Sequence, residues 1–370
     1  MNNFSFSSTN ELLIFLKNEK RKKKLIICGK NSYKSSGAEK LIKNFISDEK
    51  DYFYFKKSSY PDLAELKEII KTIKKISPEI IIAVGGGSVI DYAKIANVLT
   101  DSDDIDNEII RSNYNIKKKI AKLIAVPTTA GSGAEVTSNA VIYVDKIKYS
   151  VESEKLKPDL FFLIPELVIG ASPKIKSSAG FDAIAQSIES LISKKSNNKS
   201  VDYAKKSLQI SLKYYLDYLN KPDKENTSAM CFAANLSGKA ISISKTTAPH
   251  AVSYPFTSIY NISHGHAVSL TLNRFLKFNY KNMLLANCNF NLKDRFKIMF
   301  DISKSNNMDS FDSYLNNLKK NAKLEDNFYK LGINIQSDYS KIISGVNLLR
   351  LSNNPVDLKE VDIKKILLEK

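Results

Sequence analysis

The three histidines of this sequence, His250, His264 and His266, all fall within 17 residues. A single histidine is usually an ordinary surface or core residue. A chain this poor in histidine that gathers all of them in one segment is more easily explained by a shared chemical role. Neutral imidazole is the commonest metal ligand in proteins, and beside a carboxylate it suits divalent iron or zinc. The segment therefore predicts a metal site.

Oxygen ligands for such a metal are available on one predicted helix, FDAIAQSIES. Asp182 and Gln186 are four residues apart and so share a helix face, and Glu189 follows a further turn along. We therefore expect Asp182 to supply the carboxylate that the histidines need.

Two glycine-rich segments each follow a predicted strand. The first is Gly85-Gly86-Gly87-Ser88, which opens a helix that carries Asp91 and Lys94. The second is PTTAGSGAEVT, residues 127–137. Glycines let a backbone approach a phosphate closely, and the amide groups at a helix start favour an anion. Neither segment is a GxGxxG fingerprint or a P-loop, and a bare GGGS turn is often only a tight turn. Two such loops at the carboxyl ends of strands favour a nucleotide or dinucleotide.

The elements that must position these residues change type near residue 170. The first half alternates short apolar runs with helical patterns, which predicts a parallel sheet with helices on both faces. The second half shows only the three- and four-residue spacing of helices. We expect a Rossmann-like α/β domain over residues 1–170 and an all-helical domain over 171–370, with Pro173 marking the boundary. The predicted strands are Leu25–Cys28, Asp51–Phe55, Glu79–Val84, Lys122–Pro127, Asn139–Val144 and Phe161–Ile164, and the first predicted helices are Ser36–Ile46, Asp62–Ile76 and Val89–Leu99.

Composition limits the classes of partner. The net charge is +17, but only five of the 56 basic residues are arginine, whereas base readout and bidentate phosphate contacts favour arginine. We expect no nucleic-acid partner, although the charge suits an anionic small molecule. No apolar run is long enough to span a bilayer, and the N-terminus lacks a signal-peptide pattern, so no membrane partner is expected. The three cysteines lie far apart, which fits a reducing cytoplasm.

Taken together, these segments resemble the iron-containing (group III) alcohol dehydrogenase family. Its GGGSxxDxxK element matches Gly85–Lys94, and its PTTAGTGSEVT element matches residues 127–137. Its D-A-x-x-H helix matches DAIAQ, in which Gln186 stands where the family has a ligand histidine. Its H-x13-H-G arrangement matches His250 and His264-Gly265. The resemblance covers essentially the whole chain, as far as NNPVD near the C-terminus.

The resemblance implies the dehydroquinate synthase-like fold, a nicotinamide cofactor (NADP or NAD) and a divalent metal, Fe²⁺ first and Zn²⁺ second. It also implies a homodimer or larger homo-oligomer. The implied metal ligands are Asp182, Gln186, His250 and His264. The implied cofactor-binding residues are Gly29, Gly85, Gly86, Gly87, Ser88, Asp91, Thr128, Thr129, Ser132, Thr137 and Lys148. The triple-glycine loop would hold the pyrophosphate, Thr128 and Thr129 the nicotinamide side, and Lys148 the ribose. His266 or Tyr254 would relay a proton, since Tyr254 replaces a histidine that the family often has.

Within that family, four segments resemble phosphonoacetaldehyde reductases: residues 29–40, 180–190, 245–258 and 264–272. This subgroup reduces an anionic aldehyde to a primary alcohol, 2-hydroxyethylphosphonate, so its site needs a cation. Lys245 is the first candidate and Arg274 the second. Two alternatives remain open at this point. One is a dehydrogenase of the same family that acts on another small alcohol, aldehyde or sugar. The other is a non-catalytic basic binding protein.

The choice between NADP and NAD is expected to depend on the end of the first strand. Family members that prefer NAD commonly have an aspartate there, which repels a 2′-phosphate. This chain has Gly29 followed by Lys30, with Lys56 and Lys57 after the second strand. The sequence therefore leaves both NADP and NAD open as the cofactor.

Overall fold

The computed structural model describes residues 9–47, 49–102 and 104–369. Of these, the residues within Met1–Ser172 and Pro222–Asn235 form one compact unit, and those within Pro173–Lys221 and Leu236–Lys370 form a second. None of the helices in the described part of the chain is long and apolar enough to cross a bilayer.

The first unit contains all seven strands that the described residues form: β1 (Lys24–Gly29), β2 (Tyr52–Lys56), β3 (Ile80–Gly85), β4 (Lys122–Pro127), β5 (Asn139–Val144), β6 (Ile147–Glu152) and β7 (Leu160–Phe161). The helices that begin before residue 172 are α1 (Thr9–Asn18), α2 (Lys30–Ser35), α3 (Ala38–Ile42), α4 (Leu63–Ile76), α5 (Gly87–Val98), α6 (Ile105–Ile110) and α7 (Glu166–Ile169).

Five of the strands form a parallel sheet in the order β2-β1-β3-β4-β7, which confirms the predicted α/β architecture. Alternate residues of each strand enter opposite cores. Ile27 and Ala83 pack in the layer of α4 and α5, whereas Ile26 and Ile82 pack in the layer of α1, α2 and α3. Because both faces of the sheet are buried, its central strands are continuously apolar, as the sequence shows.

Three predicted elements of this unit were wrong in detail. The strand predicted over Phe161–Ile164 covers only Leu160–Phe161. Asn139–Val144 is a strand, but it pairs antiparallel with β6 in a separate two-stranded sheet. Asp145 and Lys146 join the two strands with φ of 49° and 66°, the left-handed backbone that two-residue hairpin turns require. The helix predicted over Ser36–Ile46 is interrupted at Gly37, whose φ is 85°.

The second unit is helical throughout its described residues, as predicted. Its helices, with α10 crossing from the first unit, are α8 (Pro173–Ile192), α9 (Asn198–Asn220), α10 (Lys224–Ser244), α11 (Ala248–Tyr260), α12 (His264–Lys281), α13 (Leu292–Ser303), α14 (Met308–Asn321), α15 (Ile335–Ser344), α16 (Leu348–Leu351) and α17 (Glu360–Leu368). Helix α8 is buried on nearly all sides and contacts both α9 and α12. Serine hydroxyls on this helix are hydrogen-bonded within the protein. The Ser187 hydroxyl, for example, is hydrogen-bonded to Ala183 O and Ser207 Oγ.

A buried ion pair fixes the start of the sheet in the first unit. Lys24 is fully buried at the beginning of β1, and its ammonium lies 3.5 Å from the Asp51 carboxylate. That carboxylate also accepts hydrogen bonds from the Lys24 and Ser47 amides. Burial lowers the pKa of Lys24, and the Asp51 carboxylate opposes that shift.

We predict that Asp51→Ala lowers the free energy of unfolding by about 3–5 kcal/mol, because it leaves a buried ammonium unpaired. Urea unfolding followed by circular dichroism measures the change. Asp101→Ala, at an exposed position, is the matched control. A loss below 1 kcal/mol would show that the pair does not hold this end of the sheet.

Candidate functional site

Three of the four predicted metal ligands lie together in the second unit. One ligand atom from each of Asp182, His250 and His264 lies within 4.8 Å of the others. Asp182 Oδ1 is 3.2 Å from His250 Nε2 and 3.9 Å from His264 Nε2. A carboxylate oxygen and two imidazole nitrogens at this separation are a donor set that fits divalent iron or zinc.

Three helices bring these ligands together. Asp182 lies on the buried helix α8, His250 in the first turn of α11 and His264 at the start of α12. The close approach of α12 to α8 depends on Gly265, since a Cβ there would lie 1.9 Å from Ser178 O and 2.9 Å from Asp182 Cβ. Only glycine allows His264 to reach Asp182 without moving a helix.

Glu189 is a functional residue that the sequence prediction did not assign. Its carboxylate is fully buried and is hydrogen-bonded to His250 Nδ1. It also accepts from the amides of Thr247 and His250 and from the Thr247 hydroxyl, and so caps the N-terminus of α11. A carboxylate on the far nitrogen of a ligand histidine fixes its tautomer and ring orientation. The position of Glu189, seven residues after Asp182 on the same helix face, was the available signal.

The electrostatics of the cluster favour a cation. Burial alone would lower the pKa of His250, but the Glu189 and Asp182 carboxylates outweigh it and raise the pKa to about 9. Without a metal the imidazole is therefore protonated at neutral pH, and a bound metal ion would take the place of that proton.

Gln186 is buried beside this cluster, one turn after Asp182, but its amide has a protein partner. Ser237 Oγ donates to Gln186 Oε1 over 2.9 Å. The amide oxygen is thus already engaged where the family resemblance implies a ligand. Asp182, His250 and His264 form the cluster, and a ligand role for Gln186 stays a prediction.

The two residues predicted to relay a proton are placed differently. The Tyr254 ring lies 5.8 Å from the His264 ring, with its hydroxyl buried. Burial raises the pKa of Tyr254 to about 12, so the hydroxyl keeps its proton at neutral pH. The His266 ring instead bonds the Glu325 carbonyl at 2.8 Å and lies outside the three-ligand cluster.

The two candidate cations from sequence also differ. Lys245 follows the end of α10 with a left-handed backbone, φ 61°, two residues before Thr247. Arg274 donates to the Glu369 carbonyl and lies over the Phe328 ring, so its guanidinium is engaged with the C-terminal segment.

The predicted cofactor loops meet in the first unit, at the carboxyl ends of neighbouring strands. The Thr128 amide donates to Gly85 O over 3.0 Å. A Cβ on Gly86 would lie 3.3 Å from Thr129 Oγ1, and one on Gly87 would lie 2.6 Å from Ser132 Oγ. Because Gly86 and Gly87 carry no side chains, the start of α5 is uncovered next to the hydroxyls of Thr129 and Ser132.

This cradle fits a phosphate-containing cofactor on two counts. Among the described residues, the buried Thr128 hydroxyl has no hydrogen-bond partner, and no side chain caps the first amides of α5. An anionic group that accepts hydrogen bonds would satisfy both. Ser88 lies in the first turn of the same helix.

Buried polar contacts hold the second loop against α5. Lys94 Nζ donates to Thr137 Oγ1, Thr137 O and Asn139 O. Asp91 accepts from the Val141 amide, and Lys148 on β6 is close enough to act on it electrostatically. Burial raises the pKa of Asp91 to about 6 and lowers that of Lys94 to about 8.

Gly29 ends β1, where the chain turns into α2. Of the lysines near this end of the sheet, Lys56 donates to the Ser58 carbonyl, and Lys57 forms an exposed ion pair with Glu68.

Family models match both parts of the chain. The model described as iron-containing alcohol dehydrogenase matches residues 3–165, and the one for the C-terminal part of the Fe-containing alcohol dehydrogenase family matches residues 176–370. The chain therefore belongs to the iron-containing alcohol dehydrogenase family.

Three relatives indicate the range of chemistry in the family. The chain is 31% identical to the phosphonoacetaldehyde reductase of Streptomyces viridochromogenes over 222 residues, 57% of this chain and 56% of that protein. It is 26% identical to the NADPH-dependent butanol dehydrogenase of Clostridium saccharobutylicum, over 95% of this chain and 92% of that protein. The structure of the sulfoacetaldehyde reductase from Bifidobacterium kashiwanohense in complex with NAD⁺ superposes with a TM-score of 0.83 at 26% identity, covering 97% of this chain and 93% of that one.

We predict that Glu189→Gln weakens metal binding 10- to 100-fold, the usual effect of removing the carboxylate that orients a ligand histidine. Competition with a chelator for Zn²⁺ or Co²⁺ measures the affinity. Glu360→Gln, at an exposed position of α17, is the control. An affinity within twofold of wild type would contradict the orienting role.

We also predict that Gly265→Ala forces α12 away from α8, because the added methyl would overlap the Ser178 carbonyl. The free energy of unfolding should fall by about 1–3 kcal/mol, with a parallel loss of metal affinity. Urea unfolding and chelator competition report the two effects, with the neighbouring exposed Ser263→Ala as control. Wild-type values in both measurements would rule out the close-approach argument.

Proposed function

We propose that this chain catalyses the metal-assisted, NAD(P)H-dependent reduction of an aldehyde to a primary alcohol. The observation that carries the proposal is the cluster of Asp182, His250 and His264 in a chain of this family. Residues 171–370 would bind the metal and the substrate, and residues 1–170 the dinucleotide. In the net reaction, the aldehyde, NAD(P)H and a proton give the alcohol and NAD(P)⁺.

In the proposed site the divalent ion, Fe²⁺ first and Zn²⁺ second, supplies Lewis-acid polarisation and the nicotinamide supplies hydride. Asp182, His250 and His264 would hold the ion, and Glu189 would keep the His250 ring in its ligating orientation. Tyr254 Oη keeps its proton at neutral pH and lies beside His264, so it is the candidate donor to the oxygen of the nascent alcohol. His266 is the weaker candidate, because its ring is held by the Glu325 carbonyl.

The proposed dinucleotide site uses the cradle formed by the two glycine-rich loops. The pyrophosphate would lie at Gly86, Gly87 and Ser88, with the unpartnered Thr128 hydroxyl as a further donor. Gly29 leaves the end of β1 without a carboxylate to repel a 2′-phosphate. Both cofactors have support among the relatives, since one is named for NADPH and one is bound to NAD⁺.

We propose phosphonoacetaldehyde, reduced to 2-hydroxyethylphosphonate, as the substrate. Two of the relatives are named for two-carbon aldehydes that carry a strong anion, one a phosphonate and the other a sulfonate. The net charge of +17 favours an anionic substrate electrostatically. The competing candidate is a short uncharged aldehyde, supported by the butanol dehydrogenase that matches over 92% of its length.

We propose two further properties, a cytoplasmic location and a homo-oligomeric state. The three cysteines are free thiols, Cys28 and Cys231 buried and Cys288 half-buried, which fits a reducing cytoplasm. The family resemblance supports a homodimer or larger homo-oligomer.

We predict that the protein oxidises NADPH or NADH in the presence of phosphonoacetaldehyde, and that exhaustive chelation abolishes the activity. Fe²⁺ should restore it because the three-ligand cluster needs an ion to act on the carbonyl. Absorbance at the nicotinamide band measures turnover, with sulfoacetaldehyde and propanal as comparison substrates.

The same assay separates the alternatives. A higher kcat/KM for propanal than for phosphonoacetaldehyde would favour an alcohol dehydrogenase for uncharged substrates. Activity that survives complete metal removal would overturn the metal assignment, and absence of dinucleotide binding would indicate a non-catalytic member of the family.

A further inference from the structure

The short helix α16 lies against the part of α11 that carries Tyr254. The Asn347 amide donates to the Ala251 carbonyl over 3.4 Å. A Cβ on Gly345 would lie 2.8 Å from Pro255 Cγ, so the chain just before α16 is in direct contact with the same turn of α11. These contacts place the residues of α16 next to Tyr254 rather than at the far end of the helix.

Asparagines fix this segment at both ends. The Asn347 side chain accepts from the Arg350 amide, which caps the start of α16. The buried Asn353 side chain donates to the Ser244 and Thr246 carbonyls and to Ser193 Oγ. The backbone that carries Arg350 is therefore held against both α11 and the segment that leads to Thr247.

Arg350 is the charged residue of α16, and its side chain is only partly buried. Its guanidinium acts electrostatically on the Tyr254 hydroxyl, as do the carboxylates of Asp182 and Glu189. Tyr254 is thus within electrostatic range of both the metal-ligand cluster and the Arg350 guanidinium.

The geometry points to Arg350 as the residue that binds the negatively charged head group of the aldehyde. The inference rests on the proposed function, and it makes Arg350 the determinant of preference for anionic over neutral aldehydes. In phosphonoacetaldehyde and sulfoacetaldehyde one methylene separates the carbonyl from the anion, so the cation must lie immediately beside the metal ligands. A guanidinium donates two parallel hydrogen bonds to such an oxyanion, which an ammonium cannot do.

The test compares kcat/KM for phosphonoacetaldehyde and for propanal in wild type, Arg350→Ala and Arg350→Gln. We expect the ratio of the two values to fall about 10- to 150-fold in both variants, the effect of losing one hydrogen bond to a charged group. The loss should appear mainly in KM. Arg350→Lys should recover part of the ratio, and millimolar guanidinium ion should rescue Arg350→Ala alone. Calorimetric binding of 2-hydroxyethylphosphonate should weaken to a similar degree.

Two further variants sharpen the comparison. Arg295→Gln, whose guanidinium lies over the Phe290 ring, is the matched control and should keep the wild-type ratio. Lys245→Ala tests the cation that the sequence indicated. A fall in the ratio for Lys245→Ala alone would assign the head group to Lys245 and overturn the inference.

The remaining outcomes are also decisive. Equal losses on both aldehydes, or an unchanged ratio in Arg350→Gln when that variant unfolds at the wild-type temperature, would show that Arg350 is structural. A wild-type enzyme that reduces aldehydes without preferring the anionic one would refute the proposed substrate, and with it the role of Arg350. An enzyme that prefers the anion while the Arg350 variants keep that preference would refute this inference only.

Discussion

The buried carboxylate of Glu189 is the interaction on which the second unit's functional cluster depends. It is fully removed from water, so its charge must be satisfied by protein groups. Those groups are the first amides of α11, the Thr247 hydroxyl and the ring of His250. One side chain therefore fixes where α11 begins and how its first histidine is turned. His250 therefore faces Asp182 because Glu189 fixes both the start of α11 and the ring of its first histidine.

In the first unit, the parallel sheet positions the two glycine-rich loops. Parallel strands buried on both faces leave their carboxyl ends as the place where loops can meet. The register that sets Gly85 opposite Pro127 brings the two glycine-rich loops into contact. Lys94 then ties the far end of the second loop to α5 through three hydrogen bonds. The loops are thus held by the sheet and by one buried ammonium.

Elements with a local signal could be predicted from the sequence. The central strands were evident as apolar runs between turns. Helix α4 begins at Leu63, one residue into the predicted helix, with Asp62 as its N-cap. The hairpin of β5 and β6 was missed because its pairing depends on two left-handed residues, Asp145 and Lys146, which are not the usual glycine or asparagine.

Part of the candidate site was also readable from spacing. Asp182 and Gln186, four residues apart, were expected to share one helix face, and both are buried on α8. Contacts between residues far apart in the sequence could not be predicted from spacing. Ser237 bonds Gln186 from 51 residues away, and the segment of Arg350 contacts α11 almost a hundred residues after that helix begins. Such pairings depend on how helices pack, which no local pattern contains.

The mixed donor set of the metal cluster bears on how the protein must be handled. The cluster offers an ion one carboxylate and two imidazoles, and the Ser237 hydroxyl holds Gln186 Oε1 beside it. Nitrogen and oxygen donors of this kind bind iron and zinc alike, so the ion held by a purified sample would reflect which metals the protein has met. Copurified metal is therefore a poor guide to the ion used in the cell. Identifying that ion calls for isolation under conditions that match the cell's own supply of iron and zinc.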